Sequence, residues 1–145
     1  PQRRADEVHV AVLGLGEMGR TTALRLVANG YRVSGWSRRG AEVPGVMVAQ
    51  GPEGLRRVLG EADIVVNLLP LTPDTQGLFN ATTLAAMRPG ASLVNLARGA
   101  HVVESDLLAA LDAGHLRHAV LDVFRDEPLP QDHPFWTHAR VTVRP

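Results

Sequence analysis

Val8-His9-Val10-Ala11-Val12-Leu13-Gly14-Leu15-Gly16-Glu17-Met18-Gly19 passes from a short valine-rich run directly into glycine. From Glu17 to Ala28 the apolar period becomes helical, and Asn29-Gly30 supplies a C-terminal stop. A strand that turns through glycine into a helix is the first half of a βαβ unit. The glycines follow G-x-G-x-x-G, a spacing that gains force from lying between a strand and a helix. Gly14 makes the tight turn, Gly16 lets the backbone approach a pyrophosphate, and Gly19 lets helix and strand pack closely. Glu17 opens the helix, so the free N–H groups around Met18 and Gly19 are set to bind phosphate. A plain glycine turn would serve the same junction, but strand, helix and a second strand together favour a dinucleotide.

The rest of the chain repeats this alternation. Tyr31 to Trp36 reads as the second strand and Val46 to Ala49 as a weak third. Pro52 to Leu59 reads as a short helix with proline in its first turn. Asp63 to Leu69 is a nearly unbroken apolar run ended by Pro70, which suits a strand covered on both faces. A helix over Ala81 to Met87, a strand over Ala91 to Ala97 and a helix over Glu104 to Ala113 follow. The next strand is expected from His118 to Phe124, then an irregular tail from Arg125 to Arg140 and a last strand at Val141-Thr142-Val143. Such an order predicts an α/β fold: a doubly wound parallel sheet with helices on both faces and right-handed crossovers. No repeat, low-complexity tract or linker divides the chain, so residues 1–145 read as one domain.

Composition narrows the function classes. Fifteen basic and fifteen acidic side chains cancel, so no global field draws the chain to nucleic acid or an anionic membrane. All the basic residues are arginine, which excludes a P-loop lysine and a Schiff-base lysine. There is no cysteine for a disulfide, a thiol nucleophile or a thiolate metal site. No apolar stretch approaches a membrane span, and Pro1-Gln2-Arg3-Arg4 lacks the apolar region of a signal peptide. The expectation is a soluble, cytoplasmic protein.

The end of the second strand bears on the choice of dinucleotide. NAD binders usually carry an acid about twenty residues beyond the glycine loop to hold the ribose 2′-hydroxyl. Here the stretch is Gly35-Trp36-Ser37-Arg38-Arg39, with two guanidiniums and a hydroxyl and no carboxylate. Arginine pairs bidentately with phosphate and stacks on aromatic bases, so Arg38 and Arg39 suit a 2′-phosphate over adenine. This favours NADP over NAD; a solvated arginine pair is the plainer alternative.

Two further blocks stand where apolar runs give way to turn formers. Asn95-Leu96-Ala97-Arg98-Gly99-Ala100-His101-Val102-Val103 offers a guanidinium at a strand rim, and Leu121-Asp122-Val123-Phe124-Arg125-Asp126-Glu127-Pro128 offers carboxylates. A guanidinium there can bind a carboxylate and polarise a neighbouring carbonyl, although a surface arginine in an ordinary loop explains the position equally well. None of the six histidines (His9, His101, His115, His118, His133, His138) shows metal-ligand spacing, and solvated or locally bonded imidazoles are expected.

With Leu68-Leu69-Pro70-Leu71-Thr72-Pro73-Asp74-Thr75, these blocks resemble the D-isomer-specific 2-hydroxyacid dehydrogenases from Val8 to Pro145. Gly35-Trp36-Ser37-Arg38, Asn67-Leu68-Leu69-Pro70 and Glu127-Pro128-Leu129-Pro130 are most similar to the glyoxylate/hydroxypyruvate reductase branch. The resemblance implies a Rossmann-like cofactor domain in which Trp36, Ser37, Leu69, Pro70, Thr75, Leu96, Ala97 and Asp122 join the glycine loop around the dinucleotide. Asp122 would face the nicotinamide carboxamide. Arg98 would bind a small 2-keto acid, and Glu127 would hydrogen-bond a catalytic histidine one position after Val141-Thr142-Val143-Arg144-Pro145. It also implies a substrate domain split around this segment, a homodimeric parent enzyme and little turnover by the segment alone. Arg144 departs from the threonine common there. The glycine loop and Trp36-Ser37-Arg38 also resemble 3-hydroxyisobutyrate and imine reductases, which lack the Arg98 and Glu127 blocks. A dinucleotide-sensing interaction module on the same fold is the non-enzymatic alternative.

Overall fold

A computed structural model describes residues 3–144; Pro1, Gln2 and Pro145, on which the readings of the chain's two ends rest, lie outside the described residues. Among the described residues seven strands form one parallel sheet: β1 (His9–Leu13), β2 (Arg32–Ser37), β3 (Met47–Gln50), β4 (Ile64–Asn67), β5 (Ala91–Asn95), β6 (Leu116–Leu121) and β7 (Val141–Val143). Their order is β3-β2-β1-β4-β5-β6-β7, so the winding reverses between β1 and β4. In open α/β sheets the crevice beyond the strand ends at such a reversal is where ligands bind. The fold is the doubly wound, Rossmann-like sheet that the alternation predicts.

Side chains alternate across the sheet and feed two cores. Val10 and Val12 face α1 (Glu17–Ala28), where they pack with Ala23, Val33 and Val66. Ala11 and Leu13 face the opposite side with α2 (Gly51–Glu61), α3 (Ala81–Ala86) and α4 (Glu104–Asp112), which contribute Leu55, Leu59, Leu84, Leu107 and Leu111. Over β5–β7 the α1 face remains half-open, with Val94, His118 and Val120 only partly buried. Asn80 opens α3 with a reciprocal cap: its Oδ1 accepts from Thr82 N and Thr83 N, and Thr83 Oγ1 accepts from Asn80 N at 2.9 Å. Among the described residues no helix is long and apolar enough to cross a membrane.

Strand ends differ from the sequence expectation for identifiable reasons. The apolar runs to Leu69 and Ala97 suggest longer strands, yet β4 and β5 stop at Asn67 and Asn95. Both asparagines are fully buried, and Asn67 Nδ2 donates to Asn95 Oδ1 at 3.0 Å. Each then turns its own chain: Leu69 N donates to Asn67 Oδ1 and Ala97 N to Asn95 Oδ1, both at 3.2 Å. β6 starts two residues earlier than expected, at Leu116, and ends before Asp122. A bulge skips Arg117, so Leu116 and Ala119 face the same core despite their odd spacing. Alternation along the sequence cannot show that.

Two close approaches of backbone build the rim. A Cβ on Gly19 would stand 1.7 Å from Gly14 O, so α1 can seat on the end of β1 only with glycine there. A Cβ on Gly99 would stand 1.8 Å from Phe124 C and 2.1 Å from Phe124 O. The loop carrying Arg98 is therefore pressed backbone to backbone against the loop carrying Asp122 and Glu127. At the opposite, amino-terminal end of the strands, His9 is buried with Nε2 2.6 Å from Ser34 Oγ, and its backbone N–H donates to Asp63 Oδ2 at 2.9 Å.

Gly99→Ala forces these loops apart and should destabilise the chain by about 1–3 kcal/mol of overpacking. Urea unfolding measures it, and wild-type stability in the variant would contradict the packing. His9 supplies a pH test. Burial, then the Arg32 guanidinium, push its imidazole below the ordinary value against the opposing pull of Glu61 and Asp63. The native state binds that proton more weakly than the unfolded chain, so stability rises with pH. The contribution is complete above about pH 6.5 and falls as pH drops through that value. Melting temperatures followed from about pH 8 to 5 should decline, less steeply in His9→Gln.

Candidate functional site

The glycine loop, the β4 loop and the β5 loop meet at the carboxyl ends of the central strands. They enclose a cleft of about 570 Å³ lined by Gly16, Glu17, Met18, Gly19, Leu69, Pro70, Leu96, Ala97 and Arg98. Gly14 makes the turn into it with φ +94°, and its N–H is held by Trp36 O at 2.8 Å. No side chain caps the start of α1. The first helical hydrogen bond runs from Arg20 N to Gly16 O, so the N–H groups of Glu17, Met18 and Gly19 have no intrahelical partner. A Cβ on Gly16 would meet nothing within 4 Å, so the loop backbone lies open on that side.

A second pocket, about 340 Å³, continues past Gly16, Leu69 and Pro70 toward Trp36, Ser37, Arg38 and Arg39 on one wall and Thr72 and Thr75 on the other. Trp36 is buried, and its indole N–H donates to Gly51 O at 2.8 Å, which fixes the floor. Ser37 Oγ is buried with no hydrogen-bond partner, the one such side-chain atom among the described residues. Such an orphan costs folding free energy unless something else bonds it. Arg38 pairs with Asp74 on the turn after β4, while Arg39 has no ion pair among the described residues. Thr75 is less available than the resemblance implies: its Oγ1 donates to Pro70 O at 2.7 Å and accepts from Thr72 N at 2.9 Å.

Arg98 combines a fixed backbone with a free side chain. Its carbonyl oxygen accepts from Asn95 Nδ2 at 2.9 Å and from His101 N at 3.3 Å. Its guanidinium is exposed at the cleft and makes no ion pair among the described residues. Asp122 and Glu127 line a separate pocket of about 320 Å³ with Phe124, Leu129 and Trp136. Glu127 bends back so that Oε2 accepts from Phe124 N at 3.3 Å. Arg98 and Glu127 therefore do not share a pocket; the Gly99 contact is what ties their loops together.

His101 is locally bonded, as expected, but it also makes a second contact far along the chain. It is fully buried, with Nδ1 3.2 Å from Arg98 O and Nε2 3.2 Å from Pro70 O. It thus spans the β4 and β5 loops, and a neutral ring donates to one of those carbonyls at a time. The signal for it lay in the Arg98 block, two residues after Gly99. The other histidines are engaged elsewhere: His115 with Met87 O, His118 with Thr142, His133 with Glu104 and His138 with Asp112. None of them meets Glu127.

The unpartnered N–H groups at the start of α1 and the open glycine loop beside the cleft fit the pyrophosphate of a dinucleotide. Across residues 1–145 the chain matches the family described as D-isomer specific 2-hydroxyacid dehydrogenase, NAD binding domain. It is similar to a glyoxylate/hydroxypyruvate reductase A of Serratia proteamaculans, 48% identical over 140 residues, which are 97% of this chain and 45% of the relative. Among solved structures, it is similar to a D-isomer specific 2-hydroxyacid dehydrogenase of Xanthobacter autotrophicus in complex with NADPH and MES. That match has 48% identity and a TM-score of 0.96 and covers 99% of this chain and 59% of the other. An NADPH-dependent glyoxylate/hydroxypyruvate reductase of Sinorhizobium meliloti in complex with NADP and sulfate matches with 41% identity and a TM-score of 0.96. It is covered to 47% by the whole of this chain. The chain spans about half the length of the curated relatives it matches. By sequence and fold it belongs to the D-isomer-specific 2-hydroxyacid dehydrogenase family, as the NAD-binding domain.

Proposed function

We propose that this chain is the cofactor half of an NADPH-dependent reductase that converts small 2-keto acids of the glyoxylate/hydroxypyruvate type to 2-hydroxy acids. The observation that carries the reading is Arg98: a guanidinium with no carboxylate partner among the described residues, beside an immobilised carbonyl, lining the cleft that begins at the free N–H groups of α1. A planar guanidinium binds the substrate carboxylate and polarises the adjacent carbonyl oxygen, on which negative charge develops. The bound dinucleotide supplies the hydride. Asp122 holds the nicotinamide carboxamide. Glu127 supports a catalytic histidine contributed from outside this chain, since each described histidine is engaged away from it. A carboxylate beside an imidazolium favours the protonated form that donates to the substrate oxygen.

The 2′-phosphate of NADP is assigned to Ser37, Arg38 and Arg39. The buried, unbonded Ser37 hydroxyl supports this, as do the NADP-bound relatives. In the same reading the parent enzyme is a cytoplasmic homodimer whose substrate domain lies outside residues 1–145, with no nucleic-acid or membrane partner.

Titration of the chain with NADPH and NADH tests the cofactor assignment. NADPH should bind more tightly, and Arg38→Gln with Arg39→Gln should remove most of the difference; equal affinity in the wild type rejects it. The catalytic assignment is tested in an enzyme that joins this chain to a substrate domain. Arg98→Ala should lower kcat/KM for hydroxypyruvate by about 100-fold or more while leaving NADPH affinity intact. NADPH binding without any turnover, even there, would favour the sensing-module alternative.

A further inference from the structure

We propose that Asp74 sets how strongly this chain distinguishes NADP from NAD, because its carboxylate competes with the 2′-phosphate for Arg38. The inference rests on the assignment of Ser37–Arg39 to that phosphate and deepens it.

The two arginines of the loop are not equivalent. Arg38 Nη2 pairs with Asp74 Oδ2, whereas Arg39 is without an ion pair among the described residues. Asp74 sits on the turn that follows β4, between Thr72 and Thr75, which line the pocket opposite Arg38. That turn is braced: Thr72 N donates to Thr75 Oγ1 at 2.9 Å, Gln76 N to Thr72 O at 2.9 Å, and Thr75 Oγ1 to Pro70 O at 2.7 Å. A stiff turn therefore delivers the carboxylate, and the long Arg38 side chain reaches out to meet it. The pair thus engages an arginine that lines the pocket, while the buried Ser37 hydroxyl has no partner among the described residues.

The two dinucleotides meet this arrangement differently. A 2′-phosphate carries nearly two negative charges at neutral pH. To engage Arg38 it must share or displace Asp74, and it then lies beside a like charge. A 2′-hydroxyl has no such conflict and can donate to the carboxylate. NAD binders usually draw that acid from the end of the second strand. This chain has none there, and Asp74 presents one from the β4 loop instead. Both partners are well exposed, at 65% and 61%, so the pair is weak and screened by salt. Asp74 thus tunes the preference without blocking NADP.

The test is a set of dissociation constants for NADPH and NADH, measured by titrating wild type, Asp74→Asn, Arg38→Gln and the double variant. Asp74→Asn should tighten NADPH binding about two- to fivefold, with NADH unchanged or weaker. Most of that gain should disappear in the Arg38→Gln background and at high salt. Unchanged or weaker NADPH binding in Asp74→Asn, in a wild type that prefers NADPH through Arg38, overturns the inference alone. A gain that survives intact without Arg38 also overturns it, because the effect is then one of general charge. If the wild type binds both dinucleotides equally and Arg38→Gln changes neither, the assignment of the loop falls and this inference with it. The exposed position of Asp74 predicts an unchanged melting temperature in Asp74→Asn, so affinity changes are read on a folded protein.

Discussion

The amide pair between Asn67 and Asn95 is the contact on which the rest of the site depends. Both side chains are completely buried at the ends of adjacent central strands, at paired positions in the sheet. The single bond between them aligns the two ends. What remains of each amide catches its own chain two or three residues on, and so turns one loop toward Leu69 and the other toward Arg98. A buried amide left without partners costs about 1–3 kcal/mol. Satisfied as it is here, the pair specifies one geometry and stops both strands at the same level. A longer β4 or β5 would carry Pro70 and Ala97 past the cleft.

Around that pair, fixed backbone is combined with free side chains. Arg98 O is held from two sides and His101 reaches from it to Pro70 O, so the two loops are tied to each other. Gly19 and Gly99 let main chains touch where a Cβ would keep them apart. The groups assigned to ligands are the ones left unengaged: the first N–H groups of α1, the Ser37 hydroxyl, and the guanidiniums of Arg39 and Arg98. Of these, the backbone donors of α1 are fixed in advance and need little reorganisation when a phosphate arrives.

Much of this was legible in the sequence because it is local. The strand–glycine–helix junction, the alternation of elements and the arginines after β2 are each contained in a few consecutive residues. Less legible was whatever depends on a neighbour across the sheet. Asn67 and Asn95 sit in apolar runs that read as longer strands, and only their pairing shows why the strands stop. The Arg117 bulge broke the alternation that would have marked Leu116 as core. His101 read as a loop histidine because its acceptors, Arg98 O and Pro70 O, come from two loops about thirty residues apart. The pairing of Arg38 with Asp74 was invisible for the same reason.

The strand order also bears on how the chain assembles. In an all-parallel sheet no neighbouring strands can be joined by a tight hairpin, so every pairing must wait for a crossover to close. β1 precedes the other strands in sequence yet lies between β2 and β4. During synthesis one of its edges finds β2 early, while the other stays open until β4 has emerged. The glycine loop hangs from the end of that strand, so the Gly14 turn can form before the wall of Leu68 and Leu69 that closes against it. Long-range parallel pairing of this kind is intrinsically slow. The open edge of β1 is therefore a surface that a nascent chain needs to keep from other strands.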